Sequence, residues 1–213
     1  MAGNERGARL GAAEDAAGLA ALIARAGDQT AAKAGSLPPV DRWEPPFCGD
    51  LDMEIRADGT WFYLGTPIGR APLVRLFSTV LRKDEDGKTY LVTPVEKVGI
   101  RVVDAPFVAV EMSVEGRGDG EAQRLTFRTN VGDVVEVGPE HPLRFVMQGE
   151  MNELKPYLHV RGRLEALLSR AVMYDLVELG EVIAIDGVEM FAVRSGGAVF
   201  PIMPADELER LSR

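Results

Sequence analysis

The stretch from residue 58 to residue 82 constrains the fold more than any other part of the chain. It begins with an Asp-Gly pair typical of a hairpin turn, continues through Trp61-Phe62-Tyr63 and reaches a Gly/Pro-rich turn that ends at Arg70. Pro72 suits the first turn of a helix, where a missing N–H costs nothing. Apolar residues then recur at helical spacing: Leu73, Leu76, Phe77, Val80 and Leu81. This stretch predicts a strand, a polar turn and an amphipathic helix.

A similar arrangement returns near the C-terminus. A second predicted helix carries apolar residues at the same offsets: Leu164, Leu167, Leu168, Ala171 and Val172. Any amphipathic helix shows such spacing, so the comparison depends on the segments that precede and follow each helix. Each predicted helix follows a strand and a turn that contains Gly and Arg, and two predicted strands follow each helix. The sequence therefore predicts an α+β fold with two related β-rich units, each with one main helix on a βαββ plan.

Breaks in the chain predict its domain organisation. Residues 1–38 form an Ala/Gly-rich tail, with helical spacing between Glu14 and Arg25. Residues 39–104 are predicted to form a small N-terminal α/β domain, and residues 105–206 a C-terminal α+β domain. The boundary falls at Asp104-Ala105-Pro106, where a run of β-branched residues stops.

Composition excludes several classes of partner and site. The net charge of −9 and a sequence pI of about 4.9 argue against duplex nucleic acid, because Lys and Arg supply most of the affinity for phosphate backbones. A small phosphorylated ligand needs only a local cluster of Arg. One Cys and two His exclude an internal disulfide and a His-rich metal site, and we expect no cofactor. We find no apolar run of membrane-spanning length and no signal-peptide pattern, so the expected location is the cytoplasm. The oligomeric state stays open.

Catalytic residues are not evident. Cys48 has no motif around it, His159 falls within a predicted strand, and His141 lies in a turn next to proline. Nucleophilic catalysis needs a nucleophile with a base beside it, and no such pattern is found. We therefore favour a protein without enzymatic activity. One alternative is a metal hydrolase in which Asp50, Asp52 and Glu54 share one face of a strand and bind a divalent cation.

Basic and aromatic residues suggest a binding site. Arg70 precedes the first predicted helix, while Arg161 and Arg163 precede the second, where guanidinium groups and free helix N–H groups suit an anion. The predicted ligand-binding residues are Arg70, Lys97, Arg161, Arg163 and Arg170 for the anion, with Trp61 and Tyr157 stacking on a base. The alternative is that these bases form salt bridges with Glu96, Asp104 and Glu165.

Several longer motifs resemble a known family. They are Asp58-Gly-Thr-Trp-Phe-Tyr-Leu-Gly-Thr-Pro-Ile-Gly-Arg70, Leu73-Val-Arg-Leu-Phe-Ser78, Leu91-Val-Thr-Pro-Val-Glu-Lys97, Asp104-Ala-Pro-Phe107 and Tyr157-Leu-His-Val-Arg-Gly-Arg-Leu-Glu-Ala-Leu-Leu-Ser-Arg170. Together they resemble domain-of-unknown-function family 1285, a group of uncharacterised bacterial proteins, from about Pro39 to Pro204. The resemblance implies a small N-terminal α/β domain, a larger domain similar to pleckstrin-homology folds and a duplicated core. It also implies a nucleotide-like ligand at the domain interface and a signalling role, and it supplies no catalytic residues.

Two hypotheses about function follow. The first is a non-enzymatic protein that binds a small anionic, nucleotide-like ligand in the cleft between its two domains. The second is a protein-interaction module that binds a peptide or a partner protein, as pleckstrin-like folds often do. The second predicts an exposed apolar patch or an open strand edge and no deep polar pocket.

Overall fold

The computed structural model describes residues 37–149 and 153–211. The predicted helix between Glu14 and Arg25 lies outside these residues. The described residues divide into two compact units: an N-terminal unit of residues 37–56 and 60–103, and a C-terminal unit of residues 57–59, 104–149 and 153–211. None of the helices in the described ranges is long and apolar enough to cross a membrane.

Between residues 37 and 103, the N-terminal unit consists of one mixed sheet and one α-helix. Its strands are β1 (Phe47–Ile55), β2 (Trp61–Tyr63), β3 (Thr66–Pro67), β4 (Leu81–Lys83), β5 (Thr89–Val92) and β6 (Lys97–Val102), and helix α1 (Ala71–Thr79) connects β3 to β4. The strand order is β3-β2-β1-β6-β5-β4. The central pair, β1 and β6, is parallel, and the other neighbours are antiparallel.

Alternating hydrophobicity and proline placement explain this unit. Met53 and Ile55 are buried on one face of β1, as period-two spacing predicts. Pro72 lies in the first turn of α1, and the side chain of Phe77 stacks on Trp61 with ring centroids 6.0 Å apart. The predicted helix is correct in position but too long, because it ends at Thr79 and Leu81 already begins β4.

The C-terminal unit contains a six-stranded sheet followed by a three-stranded one. The first sheet has β7 (Phe107–Glu115), β8 (Arg124–Thr129), β9 (Val134–Glu136), β10 (Leu143–Gln148), β11 (Glu153–Arg161) and β12 (Leu164–Leu168). Then follow helix α2 (Arg170–Val177), strands β13 (Glu181–Ile185), β14 (Val188–Ser195) and β15 (Ala198–Pro204), and helix α3 (Ala205–Leu211). The last three strands form an antiparallel sheet in the order β13-β14-β15.

The two six-stranded sheets have the same topology. The second is ordered β10-β11-β12-β7-β8-β9, with the central pair β7 and β12 parallel. Read from the other edge, this is the order of the first sheet, strand for strand. The prediction of two related β-rich units with one main helix each is therefore confirmed. The similarity lies in the sheets rather than in the spacing of the helices, because α1 is inserted between the third and fourth strands of its sheet whereas α2 follows the sixth.

The second predicted helix starts six residues too early, at Leu164 instead of Arg170. Leu164, Ala166 and Leu168 are buried, whereas Glu165 and Leu167 are only partly buried, so the segment has the period of a strand. This strand is held between β11 and β7. Pairing on both sides overrides the helical propensity of Leu, Glu and Ala. The helix begins after Ser169, whose hydroxyl accepts a hydrogen bond from the Val172 N–H at 3.4 Å.

Buried polar contacts fasten the three-stranded sheet to the six-stranded one. The hydroxyl of Ser195 accepts a hydrogen bond from the amide of Leu125 at 2.9 Å and donates one to the carbonyl of Val137 at 2.8 Å. The amide of Gly196 donates to the carbonyl of Gln123 at 3.0 Å. The end of β14 is thereby held against β8, close to the Gly-rich loop that connects β7 to β8.

Candidate functional site

The predicted site residues belong to two different units. Trp61, Arg70 and Lys97 lie in the N-terminal unit, and Tyr157, Arg161, Arg163 and Arg170 lie in the C-terminal unit. The hypothesis that all seven share one pocket stays a prediction. What the structure gives is the local environment of each side chain.

In the N-terminal unit, Lys97 is engaged with neighbouring residues. Its ammonium lies 3.0 Å from Asp84 Oδ2 and over the ring of Tyr90. Arg82 also binds Asp84, at 2.6 Å. Partial burial of the Asp84 carboxylate acts to raise its pKa, but the hydrogen bonds and charges of the two bases outweigh this effect, so the pKa is lowered. Arg70, by contrast, is exposed at the N-cap of α1 and forms no ion pair within the described residues.

Neither predicted stacking residue offers an open ring. Trp61 is only 1% exposed and packs in the core of its unit, and its Nε1 has no hydrogen-bond partner among the described residues. Tyr157 is 7% exposed, its hydroxyl donates to Asp104 Oδ1 at 2.7 Å, and the guanidinium of Arg144 covers its ring at 4.4 Å. Burial and the Asp104 carboxylate raise the pKa of Tyr157. The ring of Trp61 is covered by protein in this structure, and its stacking on a base stays a prediction.

The predicted arginines of the C-terminal unit do not stand together at a helix end. Arg161 is the last residue of β11, where it binds Asp133 at 2.6 Å and lies over the ring of Phe107. Arg163 is exposed in the turn before β12. Only Arg170 lies at the start of α2, because a strand, and not the helix, follows the Arg161-Gly162-Arg163 turn.

A different group of residues encloses a cavity of about 230 Å³ in the C-terminal unit. We call it the Arg117 cavity. Its walls come from the Gly-rich loop between β7 and β8, the junction of α2 with β13, and β14. The lining residues are Arg117, Gly118, Gly120, Gln123, Glu178, Leu179, Glu181 and Arg194.

Gln123 fixes two walls of this cavity. It is buried, and its side-chain oxygen accepts a hydrogen bond from the amide of Gly118 at 3.3 Å while its Nε2 donates to the carbonyl of Arg194 at 2.8 Å. Gly118 has φ +78°, in the left-handed region that glycine adopts without strain. The loop is therefore held in one conformation by a satisfied side chain.

Two ion pairs face the cavity, and they differ in geometry. Arg194 Nε donates to Glu181 Oε1 at 2.6 Å. Arg117 Nη2 lies 4.0 Å from Glu178 Oε2, which is beyond hydrogen-bonding distance. Both members of the second pair are largely exposed, at 67% and 74%. Such an open pair contributes little to stability and leaves its polar groups accessible to a ligand.

Sequence reasoning missed this cavity. The signal for its loop is the run Gly116-Arg117-Gly118-Asp119-Gly120, because an Arg within three alternating glycines indicates a loop that presents a charge. The opposite wall depends on β13, which was not predicted, so Glu181 could not be placed.

The alternative metal site has no geometric support. Among residues 37–149 and 153–211, no three His, Cys, Asp or Glu side chains come together as ligands for one ion. Asp50, Asp52 and Glu54 lie along β1, but Glu54 is paired with Arg56 and Arg101. A hydrolase built on these carboxylates is not supported.

Comparison with known proteins identifies the family. Residues 38–105 match the DUF1285 N-terminal domain, described as a domain of unknown function, and residues 106–202 match the DUF1285 C-terminal domain, described as a protein of unknown function. The chain belongs to the DUF1285 family. The resemblance found in the sequence is confirmed, and the Arg117 cavity lies within the family's C-terminal domain. The likeness to pleckstrin-homology folds stays a prediction.

Two solved structures are similar. One is the crystal structure of a DUF1285 family protein from Silicibacter pomeroyi DSS-3 at 2.50 Å resolution, which is 47% identical in sequence. The match spans 93% of this chain and 100% of that protein, with a TM-score of 0.79. The other is the crystal structure of a DUF1285 family protein from Shewanella baltica OS155 at 1.40 Å resolution, which is 28% identical in sequence. The match spans 61% of this chain and 92% of that protein, with a TM-score of 0.47. No protein with a curated description matches the chain significantly.

Proposed function

We propose that this DUF1285 protein is a non-enzymatic binding protein for a small ligand that carries an anionic group. The ligand binds in the Arg117 cavity of the C-terminal unit. The single observation that supports this proposal is the exposed guanidinium of Arg117, presented by a glycine-rich loop at the rim of a concave polar site and not hydrogen-bonded to Glu178. A guanidinium offers planar donors that match a carboxylate or phosphate.

The composition of the lining favours binding over catalysis. Among the described residues that line the cavity, none is a Ser, Thr, Cys, Lys or His, so catalysis by a hydroxyl, thiol, amine or imidazole has no candidate there. The charged side chains that remain, two Arg and two Glu, recognise a ligand by complementary charge.

The size of the cavity limits the ligand. Pockets for drug-sized molecules enclose about 300–1,000 Å³. A cavity of about 230 Å³ is below this range and favours a molecule smaller than a nucleotide. A position between the two units, a nucleotide-like ligand and a signalling role stay predictions from the sequence.

A binding experiment tests the proposal. The full chain is titrated by calorimetry with small compounds that carry a carboxylate or phosphate, including acetate, inorganic phosphate and glycine. We expect at least one to bind and to raise the melting temperature, since a ligand at 100 times its Kd adds about 2.7 kcal/mol to the free energy of unfolding. Arg117→Ala should abolish binding. Arg128→Ala is the matched control, because Arg128 is an exposed arginine of the same unit that pairs with Glu111. Equal binding by both variants would contradict the proposal.

The second candidate, a protein-interaction module, is favoured by one feature. Strand β13 pairs only with β14 among the described strands, so its other edge has no strand partner there. Val182 on β13 is 54% exposed. An open edge with exposed aliphatic side chains can accept an extended peptide as an additional strand. Immobilised wild-type protein and Val182→Lys should then capture different sets of peptides; identical capture would exclude this edge.

A further inference from the structure

The charges of the Arg117 cavity define its ligand more closely than an anionic group alone. The lining carries two guanidinium groups, Arg117 and Arg194, and two carboxylates, Glu178 and Glu181, so its formal charges cancel. A simple anion that binds either guanidinium meets the repulsion of a nearby carboxylate. A ligand with charges of both signs can pair with a guanidinium group and with a carboxylate of the lining at the same time.

The two ion pairs are not equally able to admit a ligand. Arg194 and Glu181 are hydrogen-bonded at 2.6 Å, and the backbone of Arg194 is held by Gln123. Arg117 and Glu178 are 4.0 Å apart, and among the described residues neither side chain forms a hydrogen bond with another group. Opening the second pair breaks no hydrogen bond. This pair therefore opens more readily than the pair of Arg194 and Glu181.

The spacing of this pair sets the spacing of charges in the ligand. Because the guanidinium of Arg117 lies directly beside the carboxylate of Glu178, the anionic and cationic groups that they bind must also be adjacent. In an α-amino acid, one carbon atom separates the carboxylate from the ammonium group. An ω-amino acid places them several bonds apart.

We infer that the ligand is a free α-amino acid with a small side chain, whose carboxylate binds Arg117 and whose ammonium group binds Glu178. This inference rests on the proposed function and names the chemical class of its ligand. The cavity volume of about 230 Å³ fits a molecule of this size, and Leu179 provides an apolar contact for a short side chain.

Matched probes test the inference. Glycine, L-alanine and L-serine are titrated into the full chain, and acetate, methylammonium and 4-aminobutyrate serve as probes that lack one charge or separate the two. We expect the α-amino acids to bind at least about tenfold more tightly than the other three. Arg117→Ala and Glu178→Ala should each weaken glycine binding about tenfold or more, and Arg128→Ala should leave it unchanged.

The outcomes separate the inference from the proposed function. If acetate or phosphate binds as tightly as glycine and Glu178→Ala has no effect, the cavity is a simple anion site: the proposed function stands and the inference is wrong. If no probe binds, both are wrong. A shift of glycine binding in Arg117→Ala but not in Glu178→Ala also overturns the inference, because the ammonium group then has no partner in the cavity.

Discussion

The side-chain amide of Gln123 donates a hydrogen bond to the backbone carbonyl of Arg194 at 2.8 Å, across 71 positions of the sequence. Its oxygen accepts from Gly118. One buried amide thus links the Gly-rich loop to β14 and holds two walls of the Arg117 cavity in place. The proposed function makes binding at Arg117 depend on this link, because an exposed arginine on an unsupported loop must lose more conformational entropy when it binds.

Substitution of Gln123 by alanine should loosen this loop. It removes the hydrogen bonds to the Arg194 carbonyl and from the Gly118 amide, and the two lost bonds together cost about 1–3 kcal/mol. We expect the free energy of unfolding, measured by urea denaturation, to fall by about this amount. Gln148→Ala is the control, since Gln148 is exposed at the end of β10. Equal stabilities of the two variants would show that the link is not important.

Ser195 should be as sensitive as Gln123. It is fully buried, and its hydroxyl is hydrogen-bonded to the amide of Leu125 and the carbonyl of Val137. Ser195→Ala therefore leaves two backbone groups without a hydrogen-bond partner. We expect a loss of about 1–3 kcal/mol in the free energy of unfolding by urea denaturation. Ser113→Ala, at an exposed position on β7, should change it by less than about 0.5 kcal/mol. A Ser195→Ala protein as stable as the control variant would mean that water replaces the hydroxyl.

The sequence predicted elements with local signals and failed where distant strands decided. Pro72 and the Asp58-Gly59 pair mark the helix start and hairpin through their own backbone preferences, and both were predicted correctly. The segment from Leu164 to Leu168 has the composition of a helix and also the alternation of a strand. Its pairing with β11 on one side and with β7, more than fifty residues earlier, on the other selects the strand. That information is not local.

The candidate site shows the same limit. Arg117 in its Gly-rich loop could be found from the sequence, because alternating glycines mark a loop that presents its one basic side chain. Glu178 and Arg194 could not be assigned to it, since their proximity depends on the three-stranded sheet packing against β8. Trp61 was assigned to the site because aromatic residues often stack on ligands, yet pairing of β2 with β1 turns it into the core.

The pH dependence of stability should reveal the pair of Tyr90 and Asp86. The phenol donates to Asp86 Oδ2 at 2.5 Å, and this hydrogen bond, followed by burial, raises the pKa of Tyr90 from 10.0 to about 12. A raised pKa stabilises the folded state fully below the unfolded value and loses that effect as pH rises through the folded value. Stability from this pair should therefore be lost between about pH 10 and about pH 12.

Tyr90→Phe provides the comparison for this prediction. It removes the phenol and keeps the ring, so the difference in free energy of unfolding between wild type and Tyr90→Phe isolates the pair from other titrating groups. We expect a constant difference from neutral pH to about pH 10 and a steady decline above it. Fluorescence-detected denaturation at a series of pH values measures it. A difference that does not change up to about pH 12 would contradict the assigned hydrogen bond.

Gly180 should tolerate no side chain, because a Cβ at this position would fall on the ring of Phe191. Gly180 lies between Leu179 and Glu181 in the wall of the Arg117 cavity, so the forced shift also displaces that wall. We expect Gly180→Ala to lower the free energy of unfolding by about 1–3 kcal/mol. It should also weaken glycine binding in the titration above. Gly69→Ala is the matched control, since a Cβ there meets no atom within 4 Å.

Phe191→Leu should relieve the overlap between the new Cβ and the ring. The double variant Gly180→Ala/Phe191→Leu should therefore be less destabilised than the sum of the two single variants; strict additivity would mean that the ring is not the obstacle.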